Sequence, residues 1–168
     1  VIEQVEVVQQ STTTSSTTTL QSIMKKQFPI SCSASSSYNN GDGYSCENLF
    51  DSALSSWQDN SLQCQDGWIE FSFAQEIYIE FIVFQNVKDS KSFARNFNAR
   101  DILITTDDTD NSISKELTND NSSQWVDINQ TTSYLRIDIL SAFPGEEVSG
   151  SQAFNECAIQ EITFWGRG

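Results

Sequence analysis

The sequence predicts an all-β domain built as an antiparallel sandwich. Three observations indicate this class: short runs rich in β-branched and aromatic residues, polar loops between those runs, and no apolar periodicity that would make a helix longer than a turn or two. The chain has 168 residues, and its eleven Phe and four Trp residues bury large areas per side chain. We therefore expect one core and one sandwich domain.

The predicted strands lie between residues 68 and 165. Residues 68–73 (WIEFSF) and 77–87 (IYIEFIVFQNV) are expected to form a strand pair around Ala74-Gln75-Glu76. Residues 101–106 (DILITT) form a third strand, which the Asp-rich residues 107–111 end as a turn or an exposed hairpin end. Residues 125–128 are a short strand, residues 133–140 (SYLRIDIL) alternate apolar and polar side chains, and residues 158–165 are the last strand.

Residues 1–27 are expected to form an extended arm outside the sandwich, which then occupies residues 28–168. The arm begins with a strand-forming run (VIEQVEVV), and nine consecutive hydroxyl residues follow from Ser11 to Thr19. Such a hydroxyl-rich run cannot bury apolar surface. Two interpretations stay open: the arm packs on its own domain, or it adds a strand to a neighbouring protein subunit.

The charge balance limits the classes of partner. Nine Lys and Arg residues stand against 23 Asp and Glu residues, so the net charge is −14. A surface this negative repels phosphate backbones and anionic lipid, which argues against nucleic acid and membrane surfaces as partners. No run approaches the roughly 20 apolar residues of a membrane span. Cations, neutral sugars and basic proteins remain compatible with this composition.

The cysteines predict disulfides in an oxidising, extracellular compartment. There are four of them, without a closely spaced pair, and histidine is absent, which argues against a zinc site. An even number in a Ser/Thr-rich chain favours disulfides, and four cysteines allow three pairings; four buried thiols are the alternative. Two N-glycosylation triplets, at Asn121 and Asn129, fit a secreted protein but also arise by chance in Asn- and Ser-rich sequence.

Several short motifs resemble, in the expected order, those of the discoidin or coagulation factor 5/8 C-type domain, a galactose-binding-like β-sandwich of the jelly-roll type. They span residues 31–166, and Ser52 stands where the family usually has Gly. The resemblance implies a binding or adhesion module more often than an enzyme. The motifs are residues 31–36 (SCSASS), Asn48-Leu49-Phe50-Asp51 with Ser56-Trp57, residues 67–71 (GWIEF), and Gln160-Glu161-Ile162.

The same resemblance implies a disulfide between the start of the sandwich and its last strand. This favours the pairing Cys32–Cys157, which leaves Cys46–Cys64 as the second bridge.

Some members of this family also hold a structural Ca²⁺ between the first loop and the last strand. Calcium binds six to eight oxygen atoms, and an acid within an apolar last strand needs a partner. In the alternative interpretation, Glu161 pairs with Arg136 or caps loop amides, and Asp51 makes an Asx-turn. By position the ligands would be the carboxylates of Asp51 and Glu161, the hydroxyl of Ser56, and the carbonyls of Asn48, Ala53 and Gln160.

Ligand-binding residues are expected on loops at one end of the sandwich. The stretch 88–100 holds four of the nine cations, with aromatic and Asn side chains among them. This chemistry suits sugar hydroxyls and sugar rings, and it equally suits a protein interface or an ordinary solvated loop. The candidates are Arg95, Phe97, Asn98 and Arg100, together with Tyr44 in a Gly-rich loop.

An enzyme is the least supported class, because the chain lacks histidine and its cysteines are expected to be paired. Two non-catalytic functions remain. The sequence favours a secreted structural or adhesive subunit, stabilised by calcium, that joins an extracellular assembly through residues 1–27. The alternative is a lectin-like module that binds carbohydrate through the loops at one end of the sandwich.

Overall fold

The structure is a computed structural model that describes residues 23–60 and 62–168. It confirms the predicted all-β class, because strands dominate and the one α-helix in these two ranges has six residues. No helix of the described residues is long and apolar enough to span a membrane. The elements are β1 (Lys25–Gln27), β2 (Ser31–Ala34), β3 (Trp57–Gln58), β4 (Trp68–Asn86), α1 (Ser90–Arg95), β5 (Asn98–Ala99), β6 (Asp101–Thr106), β7 (Ile113–Glu116), β8 (Ser123–Ile139), β9 (Ala142–Phe143) and β10 (Ala158–Arg167).

One antiparallel sheet carries most of the fold. Its strand order is β1-β10-β4-β8-β6-β7, with β2 added to β4 and β3 added to β10, and β5 and β9 form a separate pair. The two long strands, β4 and β8, pair with each other through most of their length. Their ladder is interrupted between Ser72 and Ile77, so each strand contributes to two regions of the sheet. The first half of β4 pairs with β2, and its second half pairs with β10.

Aromatic side chains show that these two regions face each other as the layers of a sandwich. The ring of Phe164, on β10, lies 4.9 Å from the ring of Phe71 and 5.2 Å from that of Phe73, both in the first half of β4. Phe71 and Phe164 are fully buried. The core therefore lies between the β2 side and the β10 side of the sheet, as a discoidin-like sandwich requires.

The prediction that residues 74–76 connect two separate, paired strands is wrong. Residues 68–86 form the single strand β4, and both of its halves pair with β8. The three residues carry none of the Gly, Asn, Asp or Pro that a tight hairpin turn favours. Similarly, the two strands predicted at 125–128 and 133–140 are parts of β8. The turn predicted after residue 106 is confirmed, since β6 and β7 pair on either side of it.

The favoured disulfide pairing is also wrong. The bonds join Cys32 to Cys46 and Cys64 to Cys157. Cys46 begins a 3-10 turn, Cys46–Leu49, that packs beside β2, which brings it within a Cα–Cα distance of 6.1 Å of Cys32. The loop before β4 runs beside the residues that precede β10, where the Gln63 amide donates to the Asn155 carbonyl, and this places Cys64 next to Cys157.

The sheet begins inside the segment that the sequence assigns to the arm. β1 pairs with β10, and Gln27 is buried, its amide donating a hydrogen bond to the carbonyl of Gly166 at 3.2 Å. The predicted subunit contact through residues 1–27 falls mainly on residues 1–22, which lie outside the described residues.

Candidate functional site

Three segments meet at one end of the sandwich and enclose a cavity of about 300 Å³. The segments are the loop between β2 and β3, the helix α1, and the residues that lead into β10. We call this space the aromatic cavity. Its lining residues are Tyr38, Tyr44, Gln58, Ser92, Asn96, Phe154 and Glu156.

The first wall of the aromatic cavity is a pair of tyrosines held by a tight loop. The rings of Tyr38 and Tyr44 lie 5.4 Å apart, edge to face. Between them Asn39, Asn40 and Gly41 adopt positive φ angles, which Asn and Gly tolerate better than other residues. The disulfide at Cys46 and a hydrogen bond from the Gln58 amide to the Tyr44 carbonyl at 3.3 Å fix this loop to the sheet.

The helix α1 forms the second wall. Its N-cap residue is Asp89, whose carboxylate accepts a hydrogen bond from the Ser92 amide at 2.8 Å. The hydrogen bonds from Ser92 hold the pKa of the Asp89 carboxyl below its ordinary value. At the other end of the helix, Asn96 is buried and donates from Nδ2 to the Ser92 carbonyl at 2.8 Å.

Phe154 forms the third wall and is positioned by Arg95. The guanidinium of Arg95 lies 3.7 Å from the centroid of the Phe154 ring, and its Nε donates to the carbonyl of Gln152 at 2.8 Å. The Phe154 amide in turn donates to the Arg95 carbonyl at 2.7 Å. The disulfide between Cys157 and Cys64 anchors this segment three residues after Phe154.

The structure brings together only two of the five residues predicted to bind a ligand. Tyr44 lines the aromatic cavity, and Arg95 borders it through Phe154. Phe97 packs against the core, and Asn98 is 2 % exposed, with Nδ2 donating to two carbonyls. Arg100 lies elsewhere and donates to a carboxylate oxygen of Glu116 at 3.1 Å.

Sequence reasoning missed Tyr38, Phe154 and Glu156. A usable signal exists for the two aromatic residues. Each stands alone in a polar stretch rich in Gly, Ser and Asn, where no strand pattern requires a large apolar side chain.

The two carboxylates predicted to hold calcium, those of Asp51 and Glu161, are engaged by groups of the chain itself. Both carboxylate oxygens of Asp51 accept hydrogen bonds within their own loop, from the Ala53 amide at 2.8 Å and the Ser55 hydroxyl at 3.0 Å, as in the Asx-turn alternative. The ammonium of Lys26 lies 3.2 Å from a carboxylate oxygen of Glu161. A positive charge at this distance repels a metal cation from the same carboxylate.

The side chains of Asn48 and Gln160, whose backbone carbonyls are among the predicted calcium ligands, are held by other groups of the chain. Asn48 donates from Nδ2 to the carbonyls of Gly43 and Ser56, each at 2.9 Å. Gln160 is buried, and its side-chain oxygen accepts from the amide of Lys88 at 2.9 Å.

Arg136, the alternative partner of Glu161, is engaged on β4 and β8 instead. Its guanidinium pairs with Glu70 at 2.6 Å and with Asp138 at 2.7 Å.

Comparisons with known proteins show the fold. No protein-family model matches the chain, and no curated protein does. Among solved structures, the family 32 carbohydrate-binding module of C. perfringens NanJ in complex with galactose aligns with a TM-score of 0.63 at 10% identity, covering 85% of this chain and 99% of that one.

Two further solved structures are similar in shape. The family 32 module of AlyQ in complex with 4,5-unsaturated mannuronic acid has a TM-score of 0.57 at 16% identity, covering 83% of this chain and 97% of that one. An F5/8 type C domain from Bacteroides fragilis has a TM-score of 0.55 at 13% identity, covering 82% of this chain and 91% of that one. The fold of this chain is accordingly discoidin-like.

Proposed function

We propose that this chain is a non-catalytic carbohydrate-binding module that takes a neutral hexose or N-acetylhexosamine into the aromatic cavity. The observation that carries the proposal is the meeting of three aromatic rings with amide, hydroxyl and carboxylate groups in one open cavity at the loop end of the sandwich. Structural neighbours solved in complex with galactose and with 4,5-unsaturated mannuronic acid support carbohydrate as the class of ligand.

The rings supply flat apolar surface for the C–H face of a sugar. Arg95 covers one face of the Phe154 ring, so a ligand uses the opposite face or the ring edge. Tyr38 and Tyr44 meet edge to face, which leaves their hydroxyl groups as donors and acceptors beside an apolar wall. This mixture of flat and polar surface suits a pyranose better than a purely apolar ligand.

The charge of the cavity favours a neutral sugar over a uronic acid. Within residues 23–60 and 62–168, Glu156 is the only charged residue that lines it. Arg95, which borders the cavity through Phe154, already stacks on that ring and donates to a backbone carbonyl. A sugar carboxylate would therefore face Glu156, in a chain of net charge −14, and no Lys or Arg of the described residues lines the cavity to pair with it.

A single carboxylate in the lining also supports a binding function rather than glycoside hydrolysis. Most glycosidases place two carboxyl groups about 5–10 Å apart across the scissile bond. Among the described residues that line the cavity, only Glu156 carries a carboxylate. The two disulfides are consistent with a secreted location for the module.

The test is calorimetric titration of the whole chain with galactose, N-acetylgalactosamine and glucuronic acid. We expect saturable binding of a neutral sugar, and a loss of about tenfold or more in affinity, about 1.4 kcal/mol, for Phe154→Ala and for Tyr44→Ala. Arg100→Ala is the matched control, since Arg100 lies outside the cavity. Glu156→Gln should narrow the preference for neutral sugars over the uronic acid.

The proposal fails if folded Phe154→Ala and Tyr44→Ala bind the sugar as the unchanged chain does. Melting curves of each variant establish that the domain is folded. The structural-subunit function that the sequence favours stays a prediction, because most of the arm at residues 1–27 lies outside the described residues. No observation on the described residues favours it over the carbohydrate-binding alternative.

A further inference from the structure

Lys26 joins three parts of the domain at the place where the family resemblance implies a calcium ion. It lies on β1, and its ammonium is 3.2 Å from Glu161 on β10 and 3.2 Å from the hydroxyl of Ser52. Ser52 follows Asp51 in the loop that the resemblance assigns to the metal. One positive group of the chain itself therefore bridges the first loop and the last strand.

The environment of this ion pair strengthens it. The side chains of Lys26 and Glu161 expose 23% and 18% of their surface, so solvent and salt screen the pair less than they screen a fully exposed one. The ammonium also lies 5.4 Å from the centroid of the Phe28 ring. Within residues 23–60 and 62–168, no other cation forms an ion pair with Glu161.

We infer that the ammonium of Lys26 takes the place of a structural metal ion in this domain. A metal and a lysine do the same work here: each neutralises Glu161 and holds the first loop against the sheet. They differ in the number of oxygen atoms that they bind, because calcium coordinates six to eight oxygens, whereas an ammonium donates three hydrogen bonds. The consequence is a domain whose stability does not depend on calcium and does depend on its N-terminal strand.

The first measurement is the melting temperature of the unchanged chain in EDTA and in millimolar calcium chloride. We expect the two temperatures to agree within about 1 °C, since a ligand that does not bind the native state does not stabilise it. A lower melting temperature in EDTA, or a saturable rise with calcium, overturns the inference.

The second measurement compares lysine variants in the same strand. Lys26→Met should lower the melting temperature by about 2–4 °C, a shift typical of losing one such interaction in a domain of this size. Lys25→Met is the matched control, because Lys25 is an exposed neighbour on β1 without an ion pair in the described residues. Equal melting temperatures for Lys26→Met and Lys25→Met overturn the inference.

The third measurement tests whether Lys26 acts through Glu161. Glu161→Gln should lower the melting temperature about as much as Lys26→Met, and the double variant should fall little further, because both changes remove one interaction. Additive losses in the double variant contradict the pairing. Should Lys26→Met fail to fold, Lys26→Arg keeps the charge and should melt within about 1 °C of the unchanged chain; the EDTA measurement needs no variant at all.

Discussion

The two disulfides should contribute unequally to stability, and the inequality follows from the chain that each one closes. Cys64 and Cys157 are 93 residues apart, and Cys32 and Cys46 are 14 apart. In the chain-entropy account, the loop-closure entropy removed from the unfolded state is worth about 4.7 kcal/mol for the longer loop and about 3 kcal/mol for the shorter one. Removing the longer bridge should therefore cost about 1.7 kcal/mol more.

A mismatched variant separates the observed pairing from the one that the sequence favours. Cys32→Ser/Cys157→Ser takes one cysteine from each observed bridge, so both bonds are lost, at a cost of about 7–8 kcal/mol. That loss rivals the whole stability of a typical domain, about 5–15 kcal/mol. Under the pairing Cys32–Cys157, the same variant would keep its other bond.

Urea unfolding followed by tryptophan fluorescence measures the differences between three double variants. They are Cys32→Ser/Cys46→Ser, Cys64→Ser/Cys157→Ser and Cys32→Ser/Cys157→Ser. We expect the free energies of unfolding to fall in that order, with the mismatched variant unfolded or nearly so in buffer. A mismatched variant as stable as Cys64→Ser/Cys157→Ser refutes the reasoning, and peptide mapping without reductant gives an independent reading of the bonds.

Three further predictions follow from single sites. Asp107 is exposed, and slight desolvation of its carboxyl raises the pKa, but the hydrogen bonds that the carboxyl accepts outweigh this effect and hold the pKa below its ordinary value. The stability that Asp107 contributes is therefore present above its unfolded pKa of about 3.9 and is lost as the pH falls through the lower folded value. Asp107→Asn should melt about 2 °C below the unchanged chain at pH 7, and the gap should close below pH 4; a constant gap contradicts this cause. In a glycosylating secretory host, mass spectrometry should find a glycan on Asn129, which is exposed, and not on Asn121, whose Nδ2 donates to a backbone carbonyl at 2.9 Å; the reverse occupancy would contradict the structure. Gly145→Ala would place its Cβ 2.1 Å from the carbonyl oxygen of Arg95, so α1 has to move. This shift should lower the free energy of unfolding in urea by about 1–3 kcal/mol and weaken sugar binding. Unchanged stability would contradict the close contact between Gly145 and Arg95.

The sequence contains most of the information for the strands, because alternation of apolar and polar side chains sets which face is buried. Residues 133–140 are predicted to alternate, and their apolar positions Leu135, Ile137 and Ile139 are all buried in β8. The path of β4 was harder to predict, since Ala74-Gln75-Glu76 is polar enough to suggest a turn. Strand alternation cannot tell a turn from an irregularity within one continuous strand.

The candidate site was harder to predict than the sheet because it depends on contacts between distant loops. Tyr44 and Phe154 are 110 positions apart, and no local pattern joins them. The basic stretch 88–100 correctly indicated Arg95, which borders the aromatic cavity, but it also led to the prediction of Asn98 and Arg100 as ligand-binding residues. Asn98 is buried, and Arg100 pairs with Glu116. Residues that are close in the sequence are therefore separated in the fold, and their proximity in the sequence did not predict the site.

The interruption in the ladder between β4 and β8 gives the two layers separate registers. Between the pairs Ser72–Tyr134 and Ile77–Thr132, β4 has four residues where β8 has one. A one-residue insertion inside a continuous ladder turns every later side chain to the opposite face of the sheet. Residues 73–76 have no such ladder partners to displace, so an added or deleted residue there would leave the buried and exposed faces of both layers unchanged.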